Sequence, residues 1–262
     1  MIKESNKQLS KEEKQVMKDL VKIYADSPNL YYTVDVDGHI VVIHLDHGGD
    51  REPEVDITKF PESFRNLKWL RTLKIHDNEL WKLPEWIGEL ESLEELWLND
   101  NPISSFPESF GNLTRLKKLN LYHQRLLKWS DHRLTQLPES FGKLKSLQVL
   151  DLGINNIASL PDSFGELVSL RELYLNSNSL TILPESFGNL TNLQILNLSS
   201  NQLKTLPESF GNLHSLRKLN ISNNKMVSLP SSMTSLPKID DLEIWGNQFD
   251  ENDKSILEEL KK

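Results

Sequence analysis

Four side chains that could bind a metal ion recur at intervals along the first half of the chain. They are His47, Asp77, Asp100 and His123. Imidazole and carboxylate groups are common zinc ligands, so these residues are a candidate metal site or small-ligand site. If they lie on successive strands, however, their side chains project side by side about 4.8 Å apart rather than around one point. A metal or small-ligand binder is therefore the weakest of the functions that we consider.

The sequence offers little else that could carry catalysis. Gly48-Gly49 lacks the lysine and the hydroxyl residue of a phosphate-binding loop, and no Gly-x-Ser-x-Gly sequence is present. The chain has no cysteine, which excludes disulfides, thiolate metal sites and a cysteine nucleophile. Carboxylate pairs such as Glu94-Glu95 fall at solvated positions and need no catalytic role. We predict a protein that is not an enzyme and uses no cofactor.

Length and charge narrow the class of protein further. The chain has 262 residues, with 30 Lys and Arg against 38 Asp and Glu, for a net charge of −8. This balance argues against a general nucleic-acid binder, which needs a cationic field. The sequence contains no run of 18 apolar residues, so it predicts no membrane span. Its polar start lacks the apolar core of a signal peptide. The sequence predicts a cytoplasmic protein.

Prolines spaced 23 residues apart mark an internal repeat. They are Pro61, Pro84 and Pro107 and, after a gap of 31, Pro138, Pro161, Pro184, Pro207 and Pro230. Each copy contains Leu-x-x-Leu-x-Leu-x-x-Asn-x-Leu and then x-x-Leu-Pro, and leucine occurs 46 times in the chain. The alternating leucines point to one side of a strand, and stacked copies bury that side in a continuous core. The pattern predicts a solenoid.

These motifs resemble the leucine-rich repeat family, over residues 40–249. The 23-residue unit with Leu-Pro-x-x-Phe-Gly-x-Leu is similar to the intracellular, Ras-group type. The resemblance implies an α/β horseshoe with parallel strands on the concave face and short helical or irregular segments on the convex face. It also implies a role in intracellular signalling, as an adaptor or regulator, with small GTPases or phosphatases as candidate partners.

Columns of equivalent residues give each repeat position a structural role. Nine strands are predicted to begin at Ile40, Leu70, Leu93, Leu116, Leu147, Leu170, Leu193, Leu216 and Ile239. A column of buried asparagines is predicted to bond backbone groups of neighbouring turns: Asn78, Asn101, Asn155, Asn178, Asn201, Asn224 and Asn247. A second column is predicted to form a stacked spine under the convex side: Phe64, Ile87, Phe110, Phe141, Phe164, Phe187, Phe210 and Met233. Each preceding proline is predicted to occupy the first position of a helical turn.

The two ends of the chain depart from the repeat and are predicted to cap it. Residues 1–39 form the first unit, with a helix at 11–26 that begins in a Ser10/Glu13 capping box, and a hairpin around Asp37-Gly38. Residues 40–249 are the repeats, and residues 250–262 are a helix over the last repeat. Caps at both ends favour a complete protein, which we expect to be a monomer.

Variable side chains on the concave face provide the candidate binding site. The predicted partner-binding residues are His44, Lys74, His76, Trp97, Asn99, Lys118, Asn120, Tyr122, Trp129 and Tyr174. Aromatic and cationic side chains are enriched at interface hot spots. None of the ten is acidic in a chain of charge −8, so we expect a partner with an anionic and apolar patch. The alternative is that these aromatics only stabilise an exposed sheet.

Two insertions interrupt the regular spacing, at His47–Asp56 and Gln124–Asp131. Each is interpreted either as a neutral surface loop or as a recognition lip along one edge of the horseshoe. The leading functional hypothesis is a module that binds a folded protein through its concave face. The alternative is a purely structural or self-associating repeat protein, whose regular faces stack on one another.

Overall fold

The sheet of this protein follows the order of its repeats. The computed structural model describes residues 9–24, 30–45, 58–123, 133–250 and 253–261, so that both insertions lie outside the described residues. Within these ranges ten strands form one open sheet in which each strand pairs with the next. The strands β1 to β10 are Leu30–Val34, Ile40–Leu45, Thr72–Lys74, Glu95–Trp97, Lys118–Asn120, Val149–Asp151, Glu172–Tyr174, Ile195–Asn197, Lys218–Asn220 and Asp241–Glu243.

Strand direction agrees with the sequence prediction. β1 runs antiparallel to β2, and each later pair is parallel. The middle residue of a repeat strand, such as Leu96 or Leu173, is fully buried, while its two neighbours on the strand face outward. All nine repeat strands and the added hairpin strand are present. No helix in the described part of the chain is long and apolar enough to cross a bilayer.

The predicted asparagine ladder is confirmed. The Asn178 amide nitrogen donates to the carbonyls of Leu152 in the previous repeat (2.9 Å) and Leu175 in its own repeat (3.1 Å). Its Oδ1 accepts the Ile157 N–H at 2.9 Å. The same cross-repeat bond is made by Asn101, Asn155, Asn201, Asn224 and Asn247. Each asparagine therefore satisfies backbone groups that the bend after the strand leaves without a ladder partner.

The convex segments are short 3-10 turns. They span Glu62–Asn66, Glu85–Glu89, Glu108–Asn112, Glu139–Lys143, Asp162–Glu166, Glu185–Asn189, Glu208–Asn212 and Ser231–Ser235. Each turn begins one residue after the proline, so the prediction that proline occupies the first helical position is wrong. The proline instead supplies the carbonyl that accepts the first turn bond, as Pro161 does from the Phe164 N–H at 2.9 Å.

The predicted aromatic spine is also confirmed. Phe141, Phe164 and Phe187 are fully buried, and their rings stack with centroids 6.4 and 6.3 Å apart and interplanar angles of 2° and 3°. Parallel rings at this spacing show that successive convex turns repeat without a shift. Ile87 and Met233 fill the same buried column near its two ends.

The glycine after each phenylalanine lets neighbouring turns approach closely. A Cβ placed on Gly165 would overlap the carbonyl oxygen of Ser186 in the next turn, and Gly111, Gly142, Gly188 and Gly211 meet the next turn in the same way. The equivalent residue of the first turn is Arg65, and the second turn has Trp86 in place of the serine. Trp86 is 6% exposed and packs edge-on against Phe60. At this junction Arg65 and Trp86 therefore stand at the places of the glycine and the serine.

The terminal elements lie against the ends of the repeat core. Helix α1, Lys11–Tyr24, buries Val16 and Leu20 in that core. The predicted capping box is present, because the Glu13 N–H donates to Ser10 Oγ and the Ser10 N–H donates to Glu13 Oε2, both at 3.1 Å. Glu13 Oε1 also accepts the Ile40 N–H at 2.7 Å, which ties the helix to β2.

Helix α2, Asp253–Lys261, adjoins the last 3-10 turn. The side chain of Asp253 accepts the Leu229 N–H at 2.8 Å, and the carbonyl of Leu260 accepts the Ile239 N–H at 3.1 Å. Leu260 is 2% exposed. The division of the chain at residues 39 and 249, and the protective role of the terminal elements, stay predictions.

The asparagine ladder can be tested by comparing Asn178→Ala with Asn176→Ala. We expect Asn178→Ala to lower the free energy of unfolding by about 1–3 kcal/mol, because backbone groups of two repeats lose their partner. Asn176 lies two residues away on the concave face, and its replacement should change that free energy by less than about 0.5 kcal/mol. Urea unfolding of both variants measures the difference, and equal losses would contradict the structural role given to Asn178.

The close approach of the convex turns can be tested at one repeat position. Gly165→Ala should destabilise the fold by about 1–3 kcal/mol, because the added methyl group meets the Ser186 backbone. Thr234→Ala is the matched control, since Thr234 holds the equivalent place in the last turn and is exposed. Thermal unfolding of both proteins is the measurement. A fully tolerated Gly165→Ala would show that the turns are not in close contact.

The capping role of the N-terminal unit can be tested by deleting residues 1–29. The deletion uncovers the core surface that Val16 and Leu20 bury, so we expect a lower melting temperature and aggregation. Thermal unfolding followed by circular dichroism, together with light scattering, measures both effects. A truncated chain that stays monodisperse and melts at the same temperature would show that these residues do not cap the solenoid.

Candidate functional site

The outward side chains of neighbouring strands form regular rows on the concave face. In the central row Lys74 lies opposite Trp97, and Trp97 lies opposite Asn120. The row continues through Asp151 to Tyr174, so the insertion between β5 and β6 does not change the register. Adjacent members are separated only by the spacing of strands, about 4.8 Å. The sheet therefore brings together residues that are up to a hundred positions apart in sequence.

Trp97 lies at the centre of a charged group, the Trp97 cluster, formed by Lys74, Glu95, Trp97 and Lys118. The Lys74 ammonium lies 5.0 Å from the Trp97 ring centroid, within the range of a cation–π interaction. The indole Nε1–H donates to Glu95 Oε2 at 3.4 Å, and the Lys118 Nζ lies 2.9 Å from Glu95 Oε1. The Glu95 carboxylate therefore bonds the indole and the Lys118 ammonium, while the Lys74 ammonium lies over the indole ring.

Glu95 corrects the expected charge of the predicted surface. Burial acts to raise the pKa of Glu95, but the Lys118 ion pair, the Trp97 bond and the charge of Lys74 outweigh it and lower that pKa. The carboxylate therefore remains ionised at neutral pH beside the predicted cations. The assumption of an acid-free centre is wrong at this point, because Glu95 partly neutralises the positive charge within the face. The anionic patch expected of the partner stays a prediction.

A second group, the Asp151 recess, lies at the strand ends of β5 to β7 and is formed by Tyr122, Asp151, Gly153, Tyr174 and Asn176. Gly153 has no side chain, and three side-chain atoms surround the position that its Cβ would take. They are Tyr122 Cδ2 at 2.9 Å, Asn176 Oδ1 at 3.0 Å and Asp151 Oδ1 at 3.2 Å. Because Gly153 has no side chain, the Tyr122 ring can lean over the adjacent repeat at this position.

Burial and neighbouring charge shift two ionisable groups of this recess. Burial raises the pKa of Asp151, and the Gly153 N–H, which donates to its Oδ1 at 2.9 Å, acts in the opposite direction. Burial also raises the pKa of Tyr174 to about 12, with further contributions from Glu172 and the charge of Asp151. The Tyr174 hydroxyl donates to Glu172 Oε2 at 3.1 Å. Tyr174 is thus a neutral hydrogen-bonded ring beside two carboxylates.

The remaining predicted residues have mostly local contacts. The His44 ring lies 5.3 Å from the ring of Tyr31, and the Asn99 amide donates to Asp100 Oδ2 at 3.2 Å. Asn120 Oδ1 accepts the Tyr122 N–H at 2.9 Å, so this asparagine has a structural role. His76 is half-buried just beyond β3. Trp129 lies outside the described residues, and the binding role of all ten residues stays a prediction.

Two aromatic residues of this face were not among the predicted site residues. Trp245 is 61% exposed, and Tyr31 is 48% exposed next to His44. The repeat pattern already places Trp245 in the row next to the central one. It is absent from the predicted site because the residues around it at the C-terminal end of the sheet are mainly small and polar. Tyr31 lies on the antiparallel strand β1, outside the repeat pattern, so no column pointed to it.

The candidate metal column has a backbone role in the structure. Asp77 and Asp100 both have φ of 57°, which turns the chain after the strand. Ile154, Ser177, Ser200 and Asn223 share this left-handed conformation at the same position of later repeats. His123 is 2% exposed, and burial lowers its pKa. In the part of the chain that the structure describes, no three His, Asp or Glu residues come together to hold a metal ion, and His47 lies outside that part.

Comparisons with known families support the repeat assignment. The model described as leucine-rich repeat region matches residues 119–258, which is more than half of the chain, and the model described as leucine rich repeat matches residues 70–126. No match is found among the curated proteins.

Solved structures with similar folds include plant receptors. The Arabidopsis receptor kinase HAESA, in complex with the peptide hormone IDA and the co-receptor SERK1, is 25% identical with a TM-score of 0.71, over 92% of this chain and 42% of that chain. The ectodomain of GASSHO1/SCHENGEN3 from Arabidopsis thaliana, in complex with CASPARIAN STRIP INTEGRITY FACTOR 2, is 24% identical with a TM-score of 0.69, over 86% and 26%. A TDR receptor is 31% identical with a TM-score of 0.62, over 72% and 33%. The chain spans less than half the length of each.

Proposed function

The chain belongs to the leucine-rich repeat family, and on this basis we propose that it is a non-catalytic module that binds a folded protein through its concave face. Domains of this family are generally interaction modules, and their repeats hold a row of variable side chains on one rigid sheet. Two of the similar structures, those of HAESA and GASSHO1/SCHENGEN3, are complexes with a peptide hormone and with CASPARIAN STRIP INTEGRITY FACTOR 2. These complexes favour a binding function over a purely structural one.

The observation that carries the proposal is the arrangement around Trp97. In sequence, Trp97 stands between Leu96, which is fully buried, and Leu98, which is almost fully buried. Its own side chain faces away from the core and is only half-buried. Lys74 and Glu95 hold the indole in place, so Trp97 loses little side-chain conformational entropy when a partner binds. A rigid, partly exposed tryptophan bordered by charged groups is typical of the anchor residues of protein interfaces.

A cytoplasmic location and a signalling role are part of the same proposal. The absence of cysteine fits a reducing compartment. Asn197 and Asn220 both fit the acceptor sequence for N-glycosylation, but both lie on the concave face, and the Asn220 amide donates to Glu243 Oε2 at 2.9 Å. A glycan at either position would cover the binding face. We also propose that the chain acts as a monomer, with small GTPases and phosphatases as candidate partners by family resemblance.

Trp97→Ala tests the proposed binding face. The intact chain is first used to capture its specific partner from an extract of the source cell. The variant should bind that partner about 30-fold more weakly, because an anchor side chain contributes on the order of 2 kcal/mol to the binding free energy. Ser199→Ala is the control, since Ser199 occupies the row next to the central one on a later repeat. Quantitative mass spectrometry of the captured proteins, followed by titration of the purified partner, measures the change.

Retained affinity in Trp97→Ala would contradict the proposed face only if the variant is folded. Leu96 and Leu98 remain in the core, so we expect its melting temperature to stay close to that of the parent chain. If Trp97→Ala and Tyr122→Ala both bind the partner with unchanged affinity, the contact lies elsewhere, on the convex side or the opposite edge. Loss of affinity in Ser199→Ala to the same extent would show that the effect is not local.

A further inference from the structure

We propose that the Asp151 recess receives an arginine side chain of the protein partner, with the guanidinium paired to the Asp151 carboxylate between the rings of Tyr122 and Tyr174. The inference rests on the proposed protein-binding function and specifies the chemistry of the partner at one point of the concave face. It reverses the sign of the partner charge that the sequence alone indicated.

Asp151 carries a charge that its structural role does not require. Its Oδ1 accepts the N–H of the residue two positions later, Gly153, at 2.9 Å. Asparagine performs the same task at the equivalent places in other repeats: Asn120 for Tyr122, Asn197 for Ser199 and Asn220 for Ser222, at 2.9–3.0 Å. The fold therefore accepts a neutral amide at this position. A half-buried carboxylate costs desolvation energy that the amide avoids, so its presence needs another reason.

The described residues of β6, β7 and β8 offer this carboxylate no positive charge. The outward residues of β6, β7 and β8 include Asp151 and Glu172, and none of them is a lysine or an arginine. Among the described residues no lysine or arginine pairs with Asp151. Lys118 on the adjacent β5 is paired with Glu95 at 2.9 Å, on the side away from β6. This stretch of the sheet is therefore negative and complementary to a cationic side chain.

The chemical groups of the recess favour guanidinium over other cations. Asp151 Oδ1 and Asn176 Oδ1 lie 3.2 and 3.0 Å from the place that a Cβ on Gly153 would take, so two acceptor oxygens flank this glycine. The place directly above the glycine is already filled by these side chains, so a ligand has to approach the two oxygens from the solvent side of the concave face. Tyr122 Cδ2 lies 2.9 Å from the same place, and Tyr174 is the neighbour of Asp151 on the next strand. A planar guanidinium can donate to a carboxylate and an amide oxygen together while its faces contact aromatic rings. Together, the Asp151 carboxylate, the Asn176 amide oxygen and the two tyrosine rings favour guanidinium as the ligand.

A matched pair of peptides tests the proposal without the natural partner. The probes are acetyl-Gly-Arg-Gly-amide and the same peptide with citrulline, which keeps the shape of arginine but is neutral. Titration into the ¹⁵N-labelled intact chain, followed by amide chemical shifts, should show saturable changes at residues 151, 153 and 174 with the arginine peptide. We expect the citrulline peptide to bind about fivefold or more weakly, because it lacks the charge.

Two variants separate the local site from general charge. Asp151→Asn installs the residue that equivalent repeats carry, so it should fold normally and bind the arginine peptide about fivefold or more weakly. Asp241→Asn removes the same charge from an exposed position on β10 and should leave the affinity unchanged. Equal binding of the two peptides, no saturable shifts at these residues, or unchanged binding by Asp151→Asn would each overturn the inference. Trp97→Ala tests the proposed function independently, so either hypothesis can fail without the other.

Discussion

The hydrogen bonds of the asparagine ladder are the constraint on which the rest of the structure depends. A parallel strand of three residues is too short to be stable alone, and the bend that follows it leaves backbone groups unpaired. One amide per repeat bonds carbonyls in two successive repeats, as Asn201 does with Leu175 and Leu198 at 2.9 and 3.0 Å. Because this bond fixes each repeat relative to the previous one, the concave side chains remain in register over the whole sheet.

The convex side imposes a second constraint, the close approach of neighbouring turns. Glycine is required only where another turn follows at full contact, which explains the exceptions at the ends of the array. Arg65 in the first turn is accompanied by Trp86 in the next and bonds Glu89 there, whereas Thr234 in the last turn faces no further repeat. A substitution at the glycine position of one turn is therefore linked to the residue at the serine position of the next turn. On the concave side no such contact recurs in every described repeat, so those side chains can vary to suit a partner.

The sequence predicted the repeated features well, because each rests on a requirement that recurs at a fixed spacing. The strands, the asparagine ladder and the phenylalanine spine follow from leucine, asparagine and phenylalanine columns that admit few alternatives. Features that depend on contacts between different columns could not be predicted. The contact of Lys74 with Trp97, the neutralising role of Glu95 and the lean of Tyr122 over Gly153 all require knowledge of how side chains bend across strands. The charge of the candidate surface was misjudged because predicted site residues were considered without their neighbours in the adjoining row.

The most direct test of the central claim, that the concave face is the binding surface, uses the absence of native cysteine. A single cysteine is introduced either on the concave face, as Lys118→Cys, or on the convex side, as Asn112→Cys, both at exposed positions. Each is then modified with a maleimide-linked polyethylene glycol chain, and the affinity of the purified partner is measured before and after modification. The account predicts that the polymer abolishes binding at position 118 and leaves it intact at position 112. Blocked binding at position 112 with free binding at position 118 would contradict it.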